Sequence, residues 1–280
     1  MFFGANSFIW TEAFGTDQFD LLRRIKAAGL DGIEFGILNP QQFQAASIRR
    51  ELERLELLST SCCVVPTNGS LCSPDIDDRR RGKVHLRACL DATAETGSQL
   101  LCGPLYAPLG HFTGTRRTSD EWKWIVESWQ ELAQFANTVH VEVALEPLNR
   151  FETYVLNTVS DAVQLCSEIN NEGVGVLVDT FHANIEEKSI GEALEKAKKH
   201  LKHIHTSEND RGTPGTGNVD WKGLFKKIKE IQYDRWLVVE SFGFSMESLS
   251  AAASIWRDLA PSLEEIPFEG VRFLKEMSRN

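Results

Sequence analysis

Eight short apolar runs of five to seven residues punctuate the chain. They fall at residues 3–9, 32–36, 60–65, 99–105, 141–146, 174–179, 202–206 and 236–240. Each is too brief for an ordinary helix and reads as a buried strand. Between them, apolar residues recur at helical spacing over residues 17–28, 41–57, 76–96, 120–139, 159–170, 190–200, 221–231 and 246–259, with a last stretch at 268–277. In the second stretch Ile48, Leu52 and Leu55 make the apolar face and charges fill the positions between. Helix punctuation agrees. Thr16-Asp17 precedes the first stretch and Gly29 follows it, Thr118-Ser119-Asp120-Glu121 forms a capping box, and Ser160-Asp161 can open the fifth helix.

Eight strand–helix pairs over this length predict an α/β chain folded as a (β/α)8 TIM barrel, a single domain over residues 1–280. The alternative, a doubly wound open sheet, carries a glycine-rich turn after its first strand; Gly4-Ala5-Asn6-Ser7-Phe8 is no such turn. The segment 106–117, rich in Gly, Pro and Thr, suits a loop that grips a substrate.

Four runs end in a side chain that can ligate a metal: Glu146, Asp179, His205 and Glu240. Each would be costly to bury alone. Together they supply carboxylates and one imidazole, a cage for one hard or borderline divalent ion. Side-chain parity puts Ala144, Leu177, His203 and Val238 one layer below them, small or apolar except His203. His203 is either a core group or a further ligand. In a barrel the carboxyl ends of the strands carry the chemistry, and all four termini fall there.

Charge narrows the partners. With 40 acidic and 30 basic residues the net charge is −10, which disfavours a nucleic-acid backbone. The basic run Arg79-Arg80-Arg81 follows Asp75, Asp77 and Asp78 and reads as a solvated helix face. No apolar run reaches the roughly 20 residues of a membrane span, and the first residues lack a basic leader, so a cytoplasmic protein is expected. Cysteines 62, 63, 72, 89, 102 and 166 show no C-x-x-C spacing and read as reduced, small hydrophobes rather than a zinc knuckle.

Three segments bear a resemblance. Glu146-Pro147-Leu148-Asn149-Arg150-Phe151-Glu152, the run Asp179-Thr180-Phe181-His182-Ala183-Asn184, and His203-Ile204-His205-Thr206-Ser207-Glu208-Asn209-Asp210-Arg211 with Pro214-Gly215 and Gly217 after it are similar to the ketose 3-epimerases, among the xylose-isomerase-like barrels. That resemblance implies Glu146, Asp179, His205 and Glu240 as metal ligands, with Mn²⁺ the expected ion and Mg²⁺ or Co²⁺ as substitutes. It implies Glu146 and Glu240 as the catalytic proton-transfer pair, and Glu152, His182 and Arg211 as groups binding the sugar. The expected reaction inverts C3 of a ketose by proton abstraction and return through an enediolate, stabilised by the divalent cation. An aldose–ketose isomerase or an inosose-type dehydratase on the same barrel is the alternative. A sugar-binding protein without turnover is the non-enzymatic one. The small-molecule partner is a sugar, with neither nucleic acid nor membrane, and a homo-oligomer (dimer or tetramer) is expected by analogy. Departures from the epimerase pattern at Asn6-Ser7, residues 103–106 and residues 113–117 bear on which sugar is taken. Phosphorylated substrates stay open, with the 212–217 loop and with Arg116 and Arg117 reaching in from the long loop. Trp10 is either an apolar wall for the sugar or core packing.

Overall fold

The computed structural model describes residues 1–279. Eight parallel strands close in chain order into one barrel: β1 (Phe2–Asn6), β2 (Gly32–Gly36), β3 (Leu58–Cys62), β4 (Leu100–Gly103), β5 (Glu142–Leu145), β6 (Val174–Asp179), β7 (Leu201–His205) and β8 (Trp236–Val239). Helices follow them on the outside: α1 (Phe19–Ala27), α2 (Ala45–Leu55), α3 (Ile76–Thr96), α4 (Ser119–Thr138), α5 (Val159–Ile169), α6 (Thr180–Glu186), α7 (Ile190–Ala197), α8 (Trp221–Glu230), α9 (Glu247–Ala252) and α10 (Glu265–Arg279). The (β/α)8 TIM barrel is the fold. No helix among the described residues is long and apolar enough to cross a membrane.

Two apolar layers hold the barrel. Outward residues of the strands, such as Ile33, Phe35, Val143 and Val176, pack against the helices in one large cluster. A small interior cluster joins Cys62, Leu100, Cys102, Ala144 and Leu177 beneath Phe8 and Leu249. Small side chains fit there because neighbouring strands crowd the axis.

Strand register puts polar groups in line inside the barrel. Asn6 pairs with Glu34 across β1 and β2, and Glu34 with Thr60 across β2 and β3. On the other side, a register shift between Val176 and Leu177 against β7 leaves Leu177 beside His203 and Asp179 beside His205. That irregularity aims both imidazoles inward, a common use of a bulge beside a site. At the end of β4, Gly103 has φ +126°, and a Cβ would sit 2.4 Å from the Cys63 carbonyl oxygen. Only glycine fits there, and its carbonyl accepts from the Glu146 amide at 3.0 Å.

Several element ends differ from the sequence expectation. The first strand stops at Asn6, whose side chain accepts from Phe8 N and turns residues 7–9 into a 3-10 helix. Another 3-10 turn, Thr16–Gln18, precedes α1. Helix α2 starts at Ala45, and α5 is capped by Thr158, accepting from the Asp161 amide, rather than by Ser160-Asp161. The Thr118–Glu121 capping box forms as expected. The stretch 246–259 is helical only over α9; Ser254, just beyond, is left-handed at φ 54°. Helix α6 was not anticipated: seven residues with two aromatic rings show no readable helical period.

Candidate metal centre and active site

The four residues at the strand ends meet. Glu146, Asp179, His205 and Glu240 each offer one ligating atom, all lie within 4.8 Å of one another, and all four side chains are buried. Asp179 divides its carboxylate between two tasks. Oδ1 accepts from Phe181 N at 2.7 Å and caps α6, while Oδ2 accepts from Arg211 Nη1 at 2.6 Å. The same Nη1 donates to Glu240 Oε2 at 2.8 Å and to Ser207 Oγ at 2.9 Å.

Arg211 reaches this position at a conformational cost. It is left-handed at φ 65°, a region non-glycine residues occupy rarely. The turn is held by its own amide donating to Glu208 O at 3.0 Å and by Ser241 Oγ donating to Arg211 O at 2.6 Å. Its guanidinium lies 4.0 Å from the Phe181 ring centroid and 5.3 Å from that of Phe242, which fixes its plane. The side chain is thereby turned into the carboxylate cluster and not toward the 212–217 loop that follows it. That loop is organised instead by Glu208, fully buried. Its carboxylate accepts from Gly215 N (2.8 Å), Val219 N (3.0 Å), Asn209 N (3.1 Å) and Trp221 Nε1 (2.9 Å).

His182, on α6, points Nε2 into the cluster, 3.7 Å from Glu146 Oε1 and 3.8 Å from Asp179 Oδ2. Its Nδ1 accepts from the Asn149 amide at 3.1 Å, so the neutral ring carries its proton on Nε2. Arg211 Nη2 lies 3.2 Å from that nitrogen. With the proton on Nε2 the two groups face each other as donors, a contact that an acceptor oxygen bridging both would relieve. Asn149 Nδ2 also donates to Glu152 Oε1 at 2.8 Å, tying Glu152 to the same group.

Sequence reasoning missed Glu34. It is fully buried in mid-β2, and Oε1 lies 2.7 Å from His205 Nε2. Asn6 Nδ2 donates to Oε1 at 2.9 Å and Thr60 Oγ1 to Oε2 at 2.8 Å. His203 Nε2 stands 2.8 Å from Oε2, outside hydrogen-bonding alignment. With Glu34 holding the proton on His205 Nε2, the lone pair of Nδ1 faces the cluster, the familiar carboxylate–histidine support of a metal ligand. The signal was present: a lone acid between Ile33 and Phe35 must face away from both.

Charges in the cluster sort the carboxylates. Burial pushes the Glu146 carboxyl well above its usual range, and the Glu240 charge adds to it. Burial would raise Glu240 too, but His205 and Arg211 outweigh it and hold Glu240 low. His205 is raised despite burial by Glu240 and Glu34. Burial lowers His182 to about 3, with Asp179 opposing. The Glu152 carboxyl is raised by burial against the pull of Arg211.

A divalent ion fits these residues. Glu146 Oε1 and His205 Nδ1 are buried without a hydrogen-bond partner, and both belong to the cluster. Three carboxylates and an imidazole make a donor set for a divalent ion, which would displace the protons that Glu146 and His205 otherwise favour. Elsewhere, Arg117 does not reach in from the long loop. It donates to Val155 O at 2.5 Å and stacks 4.0 Å over the Trp122 ring. Arg116 is exposed. Trp10 packs 6.1 Å from the Phe268 ring, centroid to centroid.

The family pattern described as xylose isomerase-like TIM barrel matches residues 22–277. The chain belongs to that family. Within it, the chain is 32% identical over 274 residues to a probable ketose 3-epimerase of Synechocystis sp. (strain ATCC 27184 / PCC 6803 / Kazusa), covering 98% of this chain and 96% of the relative. It is 34% identical over 198 residues to a D-psicose 3-epimerase of Ruminiclostridium cellulolyticum, covering 70% and 67%. Among solved structures, the D-allulose 3-epimerase from Methylomonas sp. in complex with D-allulose superposes at TM-score 0.94, with 27% identity over 99% of this chain and 97% of that one. These xylose isomerase-like barrels are carbohydrate epimerases, a subclass of isomerases, and this member is an enzyme of that class.

Proposed function

We propose that the protein inverts C3 of a free ketose, with Glu146 and Glu240 as its proton-transfer pair. One observation carries the reading: two buried carboxylates, Glu146 at the end of β5 and Glu240 at the end of β8, meet in one cluster with an aspartate and an imidazole at the barrel rim. A carboxylate on either side of a bound sugar can serve as base toward one face of C3 and as acid toward the other. Glu240, ionised, takes the proton from C3; the bonding pair moves into the C2–C3 bond, and the carbonyl oxygen takes up negative charge. Glu146 then delivers its proton to the opposite face of C3. The reverse reaction uses the two in exchanged roles, as microscopic reversibility requires.

Arg211 and the Nε2–H of His182 face the developing oxyanion, and Glu152 orients a neighbouring hydroxyl. Glu146, Asp179, His205 and Glu240 would hold a divalent ion, Mn²⁺ being the best match to three carboxylates and an imidazole, with Mg²⁺ or Co²⁺ as substitutes. Such an ion supplies Lewis-acid stabilisation of charge on the sugar oxygens, worth several kcal/mol. Aldose–ketose isomerisation and inosose dehydration are not favoured, because the relatives are ketose 3-epimerases. A cytoplasmic setting is supported by six buried free thiols. The homo-oligomer, dimer or tetramer, rests on analogy alone.

The test is hydrogen exchange. The Mn²⁺-loaded protein, incubated with a panel of ketoses in D₂O, should place deuterium at C3 together with the epimeric sugar. Deuterium at C1, or no incorporation with any ketose, overturns the proposal.

A further inference from the structure

A second cluster of ligating atoms lies outside the barrel, between β3 and α3. Cys62 points inward, where Asn6 Nδ2 approaches its sulfur at 3.2 Å. Strand alternation therefore turns Cys63 toward the helix layer. On α3, His85 and Cys89 are four residues apart and share the face that meets it. Cys63 Sγ, Cys89 Sγ and a ring nitrogen of His85 all lie within 4.8 Å of one another. His85 Nε2 is 3.5 Å from Cys89 Sγ. Tetrahedral zinc bonds of about 2.3 Å to sulfur and about 2.0 Å to nitrogen separate the two ligands by about 3.5 Å. This pair already stands at ligand spacing; Nε2 also lies 3.1 Å from Val64 O, a contact that metal binding would replace.

We infer that Cys63, His85 and Cys89 form a metal site for a thiophilic divalent ion such as Zn²⁺, separate from the oxygen-rich centre at the barrel mouth. Both thiols are buried, at 1% and 0% exposure. His85 is half-buried and borders a surface cleft of about 250 Å³ with Gln41, Pro66, Asn68, Arg80, Arg81 and Val84. Of the three residues, His85 alone lines that cleft, so an ion would enter past its ring.

The proton chemistry agrees. Burial raises the other five thiols, Cys166 to about 12. Cys89 alone is lowered, to about 6, because the Cys63 thiol and then His85 face it against burial. His85 is raised by the same contact. Exchanging two protons of this three-residue group for one dication leaves its net charge unchanged. Binding therefore buries no new charge, which removes the largest cost of an interior ion.

Co²⁺ is the probe, because the oxygen-rich centre contains no sulfur. Under reducing conditions, titrating the wild-type protein with Co²⁺ should produce a sulfur-to-cobalt charge-transfer band in the near ultraviolet, bleached by added Zn²⁺. Cys89→Ser and Cys63→Ser should each lose the band, Cys166→Ser should keep it, and Cys89→Ser should retain its Mn²⁺-supported turnover. Absence of the band in the wild-type protein overturns the inference whatever the variants do. So does a band that survives in folded Cys89→Ser.

Discussion

Glu34→Gln tests whether the interior of β2 governs the proposed metal centre. The substitution keeps the shape of a fully buried side chain and removes its charge. The amide oxygen can still accept from His205 Nε2, now 2.7 Å from a carboxylate oxygen. Its NH₂ then turns toward Thr60 Oγ1, which at present donates to Oε2 at 2.8 Å, so that hydroxyl must reverse. A weaker, less polarised acceptor holds His205 less firmly and makes Nδ1 a poorer ligand. Loss of such a partner typically weakens metal affinity about 10- to 100-fold, or about 1.4 to 2.7 kcal/mol. A second effect has the opposite sign. Glu34 helps keep His205 protonated, so its removal relieves proton competition for Nδ1. The two separate if affinity is measured by chelator competition at rising pH until it stops increasing. On that plateau only the orientation effect remains, and excess metal should largely restore turnover. A folded Glu34→Gln protein whose plateau affinity lies within about twofold of the wild type would refute the reasoning.

Glu146→Gln and Glu240→Gln, each assayed with excess Mn²⁺, should lose about 10²- to 10⁴-fold in epimerisation; each should still exchange the C3 hydrogen of one epimer, a different one in each variant, read by NMR in D₂O. Because His205 is raised, a proton occupies the ligand below its folded pKa, so metal affinity should fall about tenfold per unit as pH drops in that range, measured by competition titration. Glu208→Gln sets an amide against four donors that now share one carboxylate; urea unfolding should show a loss of about 3 kcal/mol. His182 is held neutral down to about 3, so below its unfolded pKa the unfolded chain gains a proton that the native chain does not. Stability of the chelated protein should therefore fall by up to about 1.4 kcal/mol per pH unit between those values, and folded His182→Asn should show a shallower decline by calorimetry.

Local pattern carried much of this molecule. The runs at β2 and β6 and the helix α3 are legible to the residue, because glycine, aspartate or a change of period marks their ends. Polar termini on otherwise buried strands also announced the cluster at Glu146, Asp179, His205 and Glu240, since such groups need partners and a barrel has one rim to offer them. Other features depended on contacts remote in the chain. Helix α6 exists because Asp179 caps it and the barrel wall supports it, although its seven residues are too few to show a period. Glu34 meets His205 only when β1 closes against β8 and brings strands 171 residues apart to face one another. Arg211 reaches the carboxylates through a left-handed turn that its residue type disfavours and its neighbours impose. Cys63 finds His85 and Cys89 because a strand and the helix after it pack face to face. Hydrophobic periodicity reports which way a side chain points within its own element. Which groups it then meets is settled by register, closure and the long-range packing that excludes water between them.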